Sequence, residues 1–226
     1  RKQSSFSLLL SELMTYLNLF VNYFVLFDNT LIFFLSDNGG ATTNQSSNYP
    51  LKGFKGNKFE GGHRVPYFVV WKNGIPAGKP YDGLVSSLDI FATAIDAASI
   101  SKTRNRLDGV SLLPYLKGKK GEPHKVLYWR KMDTRAIRSG DYKLIITHGV
   151  DSVLYNIRRD PEEMNNLINK EPDLYRKLAK KLAKWEKNEC IEPSWLEEGW
   201  RKITNRYHQQ LMHNEIKTAQ DLYKKK

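Results

Sequence analysis

Residues 31–40 read LIFFLSDNGG, and after a short interval residues 53–66 read GFKGNKFEGGHRVP. The first string is the feature that most restricts the fold. An apolar run, Leu31 to Leu35, delivers an acid and an amide into a Gly-Gly loop, the layout by which α/β proteins place ligands at the carboxyl end of a buried strand. Asp37 and Asn38 then offer hard oxygens to a cation. One carboxylate beside one amide carbonyl suits calcium or magnesium better than zinc, which favours His and Cys. In the second string Lys55 lies between Gly53 and Gly56, where small neighbours let an ammonium and the backbone come close to an anion. Taken singly, each piece also reads as a turn or a solvated loop. Their order and separation, with the strand expected over Val65 to Trp71, make them one oxyanion site.

That combination resembles the sulfatase family of the alkaline-phosphatase-like superfamily, in particular the arylsulfatase A and N-acetylgalactosamine-6-sulfatase type. The resemblance implies that Asp37 and Asn38 bind the active-site divalent cation, usually calcium. It also implies that Lys55, five residues before the glutamate of EGGHRVP, contacts the substrate sulfate. It continues through VSSLDIFATAIDAA (85–98), LDGVSLLPYLKG (107–118), AIRSGDYKLI (136–145) and LYNIRRDPEEMNNL (154–167). The expected fold class is therefore α/β: the C-terminal part of an alkaline-phosphatase-like sulfatase domain, plus a small antiparallel sheet with a packed helix.

Sulfatases carry their nucleophile in a Cys/Ser-x-Pro/Ala-x-Arg motif whose Cys or Ser becomes formylglycine, and these 226 residues contain no such string. The single cysteine, Cys190, stands in Glu-Cys-Ile-Glu. The sequence is accordingly read as a C-terminal portion that lacks the formylglycine nucleophile and is inactive alone, its intact form hydrolysing sulfate esters. Two alternatives stand beside this reading: a non-enzymatic binder of sulfated glycans, and a related phosphate or phosphonate monoester hydrolase.

A net charge of +12 calls for anionic partners. A sulfated small molecule or glycan meets that demand, and no nucleic-acid motif accompanies the charge. One cysteine excludes an internal disulfide and leaves the compartment open, although sulfatases are typically secreted, periplasmic or lysosomal. Asn44-Gln45-Ser46 is a glycosylation sequon. The apolar stretch Leu8 to Phe27 has nearly the length of a membrane span. It contains Glu12, Asn18 and Asn22, however, and its apolar side chains recur every three or four residues. It is expected as a core helix, and no transmembrane segment is expected.

Three regions are anticipated: 1–120 as the catalytic-domain portion, 121–190 as a small α+β subdomain, and 191–226 as a polar basic tail with partial disorder. Ser86 and Ser87 should cap a helix with Leu88, Phe91, Ala92, Ile95 and Ala98 on its apolar face. Short β-type runs are expected over Val126–Trp129, Thr134–Arg138, Tyr142–Thr147 and Val153–Tyr155, with a turn at Ser139-Gly140-Asp141. Pro172 should open a helix with a Leu174, Leu178, Leu182 and Trp185 stripe, its lysines forming a solvated face. No metal-type spacing links the histidines, and His63 receives no catalytic role.

Overall fold

The alternation of side chains between residues 134 and 156 dictates a sheet buried on both faces. In the computed structural model, which describes residues 15–16, 27–44, 46–100, 106–190 and 197–224, this region forms four strands. They are β3 (Val126–Lys131), β4 (Thr134–Ser139), β5 (Tyr142–Thr147) and β6 (Asp151–Asn156), a continuous antiparallel meander. Ser139 pairs with Tyr142 across the Gly140-Asp141 turn, as the sequence predicts. Because strand side chains alternate with period two, Ile137, Leu144 and Leu154 point to one face and Ala136, Ile145, Val153 and Tyr155 to the other.

Helix α4 (Pro172–Glu189) covers the first face. Leu178 and Leu182 are buried there, and Trp185 stacks on Tyr128 at a centroid distance of 4.9 Å and an angle of 5°. Arg135 anchors the helix by donating from Nε to Glu186 at 2.8 Å. Lys177, Lys180, Lys181 and Lys184 are all exposed, which is the solvated face expected of them.

The second face is covered by a segment that sequence reading took for a partly disordered tail. Residues Glu198–Met212 form helix α5, followed by a 3₁₀ turn at Ala219–Tyr223 closed by reciprocal hydrogen bonds between Thr218 and Asp221. Thr204, His208, Leu211 and Met212 are buried, spaced as one helical face. The helix forms because those side chains complete the core around Tyr155, Phe54 and Phe59. Its polar composition concealed the stripe.

The chain divides into two compact units. One takes the chain up to Phe34 and then Tyr67–His124; the other takes Leu35–Pro66 and Lys125 onward, so residues 35–66 belong with the C-terminal sheet. In the first unit β1 (Ile32–Leu35) pairs with β2 (Tyr67–Val70), and Phe33 stacks on Tyr67 at 6.4 Å. The buried strand expected for β1 is only half-buried throughout, because the described sheet has two strands and leaves edges on both sides. Helix α2 (Asp89–Ala97) differs from expectation in what supports its start. Ser86 Oγ accepts from the Leu88 amide at 3.3 Å, as expected of a serine there. The fully buried Asp89 carboxylate adds to it, accepting from the Ser86 and Val110 amides at 2.7 and 2.9 Å and meeting His124 Nε2 at 2.7 Å. The anticipated apolar stripe is also rotated: Leu88 and Phe91 are exposed, and Asp89, Ala92 and Thr93 are buried. A short helix α3 (Leu113–Leu116) follows, with Thr93 Oγ1 accepting from the Leu112 amide at 3.0 Å. Among the described residues no helix is long and apolar enough to cross a membrane, and the Leu8–Phe27 stretch lies almost wholly outside them.

Four buried charges fix residues 51–63 to the sheet. Glu60 opens the short helix α1 (Glu60–His63), and its carboxylate meets Lys143 of β5 at 2.8 Å. Lys143 also meets Glu163 at 2.9 Å, and Glu163 accepts from the Glu60 amide at 2.6 Å. Burial alone would push the Glu60 carboxyl up, but Lys143, with Arg138, holds it well below the usual carboxylate range. Lys52 is fully buried and donates to the carbonyls of Glu163 and Leu211 at 2.6 and 3.1 Å and to the Asn214 side chain.

Removing one member of a buried ion pair leaves the other uncompensated, which typically costs 3–5 kcal/mol or so. Lys143→Met should lower unfolding stability by about that amount in denaturant titration, and adding Glu60→Gln and Glu163→Gln should recover much of it. A loss below about 1 kcal/mol for the single change would rule out this role for the lysine. Acid sensitivity tests a second buried group. Burial, with the charges of Lys58 and Lys131, lowers the His208 imidazole to about 4 even though its contact with the Thr204 carbonyl favours the proton. The unfolded chain therefore takes up a proton near pH 6.5 that the fold resists, so this contribution is complete above pH 6.5 and is lost as pH falls toward 4. The lost stability should be roughly 3 kcal/mol by pH 4. His208→Gln should be measurably less acid-sensitive over that window, and equal sensitivity would contradict the assignment.

Candidate active site

The Gly-Gly loop after β1 and the loop carrying Lys55 meet backbone against backbone. The Gly39 amide donates to the Gly62 carbonyl at 3.1 Å, and the Lys55 amide donates to the Gly40 carbonyl at 2.9 Å. A side chain at position 39 would place its Cβ 1.8 Å from the Gly61 carbonyl oxygen, so only glycine permits this approach. Asn48, a residue that sequence reading passed over, clasps both strings. Its Oδ1 accepts from the Gly40 amide at 2.8 Å, and its Nδ2 donates to the Gly53 carbonyl at 3.0 Å. No local pattern marks a lone asparagine as such a clasp.

Lys55 is exposed at the tip of its loop, while Phe54 and Phe59 on either side are buried. Phe54 meets Tyr207 of α5 edge-on at 5.4 Å, and Phe59 lies 6.2 Å from the Tyr155 ring. The loop is thus nailed down by its aromatics and presents its lysine. Gly56 follows with a φ of +96°, a backbone state that favours glycine.

Asp37 is exposed and Asn38 half-buried, with the Asn38 carbonyl accepting from Ser36 Oγ at 2.9 Å. Among the described residues the Asp37 carboxylate makes no ion pair or hydrogen bond. Also among them, no group of three or more His, Cys, Asp or Glu residues is placed to hold a metal ion. The donor set on this loop is one carboxylate and one amide oxygen. Both suit a hard cation, and together they cover part of the six to eight oxygens that calcium takes.

His63 packs its ring on Trp129 at 4.6 Å and lies 3.7 Å from the Glu60 carboxylate. Burial, reinforced by Lys143, holds its imidazole well below the ordinary value, so the ring is neutral. Two further cations stand near Lys55. Lys58 is half-buried three residues on, and Lys131 ends β3 with its Nζ 2.9 Å from the point a Cβ on Gly56 would occupy. Sequence reading missed both. Lys131 belongs to a strand seventy-six residues further along the chain, and Lys58 looks like any loop lysine.

The sulfatase family model matches residues 15–100. An uncharacterised sulfatase, YdeN, of Escherichia coli strain K12 is 47% identical over 106 residues, covering 46% of this chain and 19% of that protein. The N-acetylgalactosamine-6-sulfatase of Canis lupus familiaris is 37% identical over 121 residues, covering 51% and 23% respectively. The chain thus spans about a fifth of the length of these curated relatives. Among solved structures, Ps i-CgsB in complex with k-i-k-neocarrahexaose superposes with a TM-score of 0.70 at 29% identity, over 91% of this chain and 45% of that one. The chain is thus similar to the sulfatase family over residues 15–100 and shares an α/β fold with Ps i-CgsB over nine-tenths of its length.

Proposed function

We propose that this chain supplies the cation-binding and sulfate-holding side of a sulfate-ester hydrolase. The observation that supports this reading is the pair of backbone hydrogen bonds, Gly39 to Gly62 and Lys55 to Gly40, that joins the loop carrying Lys55 to the Gly-Gly loop following Asp37 and Asn38. In this reading Asp37 and Asn38 hold a divalent cation, calcium by the hardness of their oxygens. When bound, such an ion polarises sulfate oxygens as a Lewis acid. Lys55 neutralises a sulfate oxygen directly and holds the sulfuryl group in place as the ester oxygen departs. Phe54, Phe59 and the Gly39–Gly61 contact keep these groups placed before substrate arrives, so no reorganisation accompanies the reaction.

The nucleophile is not among these residues, since no formylglycine motif occurs in the sequence. The part assigned to this chain is recognition and charge neutralisation of the sulfate. A sulfated small molecule or glycan is the substrate class, and the k-i-k-neocarrahexaose held by Ps i-CgsB is consistent with the latter.

Titration of the chain with an aryl sulfate, with and without calcium, tests this reading. Calcium should strengthen sulfate-ester binding. Lys55→Ala should weaken it by roughly 10- to 100-fold, the loss of one charge-assisted contact of about 1.5–3 kcal/mol. Asp37→Ala should abolish the calcium effect while leaving Lys55-dependent binding in place. Binding indifferent to both substitutions would defeat the proposal.

A further inference from the structure

Lys55 and Lys58 lie on one short loop and Lys131 reaches over that loop's Gly56, and among the described residues none of the three makes an ion pair. Lys55 and Lys58 flank Gly56 on the loop. Lys131 reaches over the same glycine from the end of β3, where its Nζ would crowd any side chain at position 56. The nearby acids cannot answer this charge. Glu60 and Glu163 are both engaged by Lys143 on the buried side of the loop. Burial, with the charges of Lys131 and Lys143, pulls the Lys58 ammonium down to about 8, and burial with Lys55 lowers Lys131 as well. Three like charges held together raise the energy of the empty protein, an arrangement that an anion would relieve.

One sulfate ester accounts for Lys55 alone. We infer that Lys58 and Lys131 form a second anion subsite beside Lys55, so that the chain takes a multiply sulfated glycan, one sulfate at Lys55 and another between Lys58 and Lys131. The inference rests on the sulfate-holding role proposed for Lys55. Two lysines from different elements suit this task. Each is a compact point charge on a flexible stem, and together they tolerate variation in where the second sulfate falls, which a rigid guanidinium fork would not.

The test compares a monosulfated and a disulfated disaccharide of the same sugar backbone, titrated into the full chain at 0.15 M salt or thereabouts, where diffuse attraction is screened. The disulfated sugar should bind about tenfold more tightly or better, as one added charge-assisted contact gives. Lys131→Ala and Lys58→Ala should each bring that ratio toward one while leaving the monosulfated sugar unaffected. Lys58→Gln keeps most of the stem, should the shorter variant not fold. Lys55→Ala should weaken both sugars, and Lys180→Ala on the solvated face of α4 neither. If the monosulfated sugar binds through Lys55 and the ratio is already one, or if it survives Lys58→Gln and Lys131→Ala, the second subsite is wrong and the site reading stands. If neither sugar binds, both fall.

Discussion

The buried ion network of Glu60, Lys143, Glu163 and Lys52 is the constraint on which the site depends. It holds a loop of irregular backbone against a regular sheet, where hydrophobic contact alone would leave its polar groups unsatisfied. Lys143 is fully buried and touches both carboxylates, so neither acid stands as an isolated charge. Lys52 satisfies its three protons on two backbone carbonyls and an asparagine side chain. Such networks cost desolvation energy, and their return is a single defined geometry. Here that geometry sets where α1 begins, hence where Gly61 and Gly62 lie, hence how closely Gly39 can approach.

The sheet gives the network its rigidity. Both faces are buried, one by α4 and the other by α5 together with Phe54 and Phe59. Two residues of the Lys55 loop are therefore part of the hydrophobic core. Lys55 is exposed between them, on backbone that they hold in place.

Much of this was legible in the sequence. The four strands and the Pro172 helix follow from alternation, turn residues and a leucine stripe, because those signals are local and tertiary contacts reinforce them. The close approach of the loops that carry Asp37, Asn38 and Lys55 was legible because glycines mark it. Failures came where a long-range partner decided the outcome. Asp89 joins Ser86 at the start of α2 unannounced, because Val110 and His124 share its carboxylate. The C-terminal segment was misread because Thr204 and His208 fill core positions that a hydropathy pattern leaves blank. Lys131 and Asn48 carried no local signal at all.

The division of the chain bears on how the protein comes into being. Residues 35–66 pack with residues from 125 onward, and the ties of Lys52 reach 111 and 159 positions along the chain. Contacts of such separation form slowly, since loop closure precedes any energetic return. A chain emerging from the ribosome presents Phe54 and Phe59 long before Leu211 and Met212 exist to cover them. The loop carrying Lys55 is therefore synthesised well before it is secured, and its aromatic side chains are exposed to aggregation in the interval.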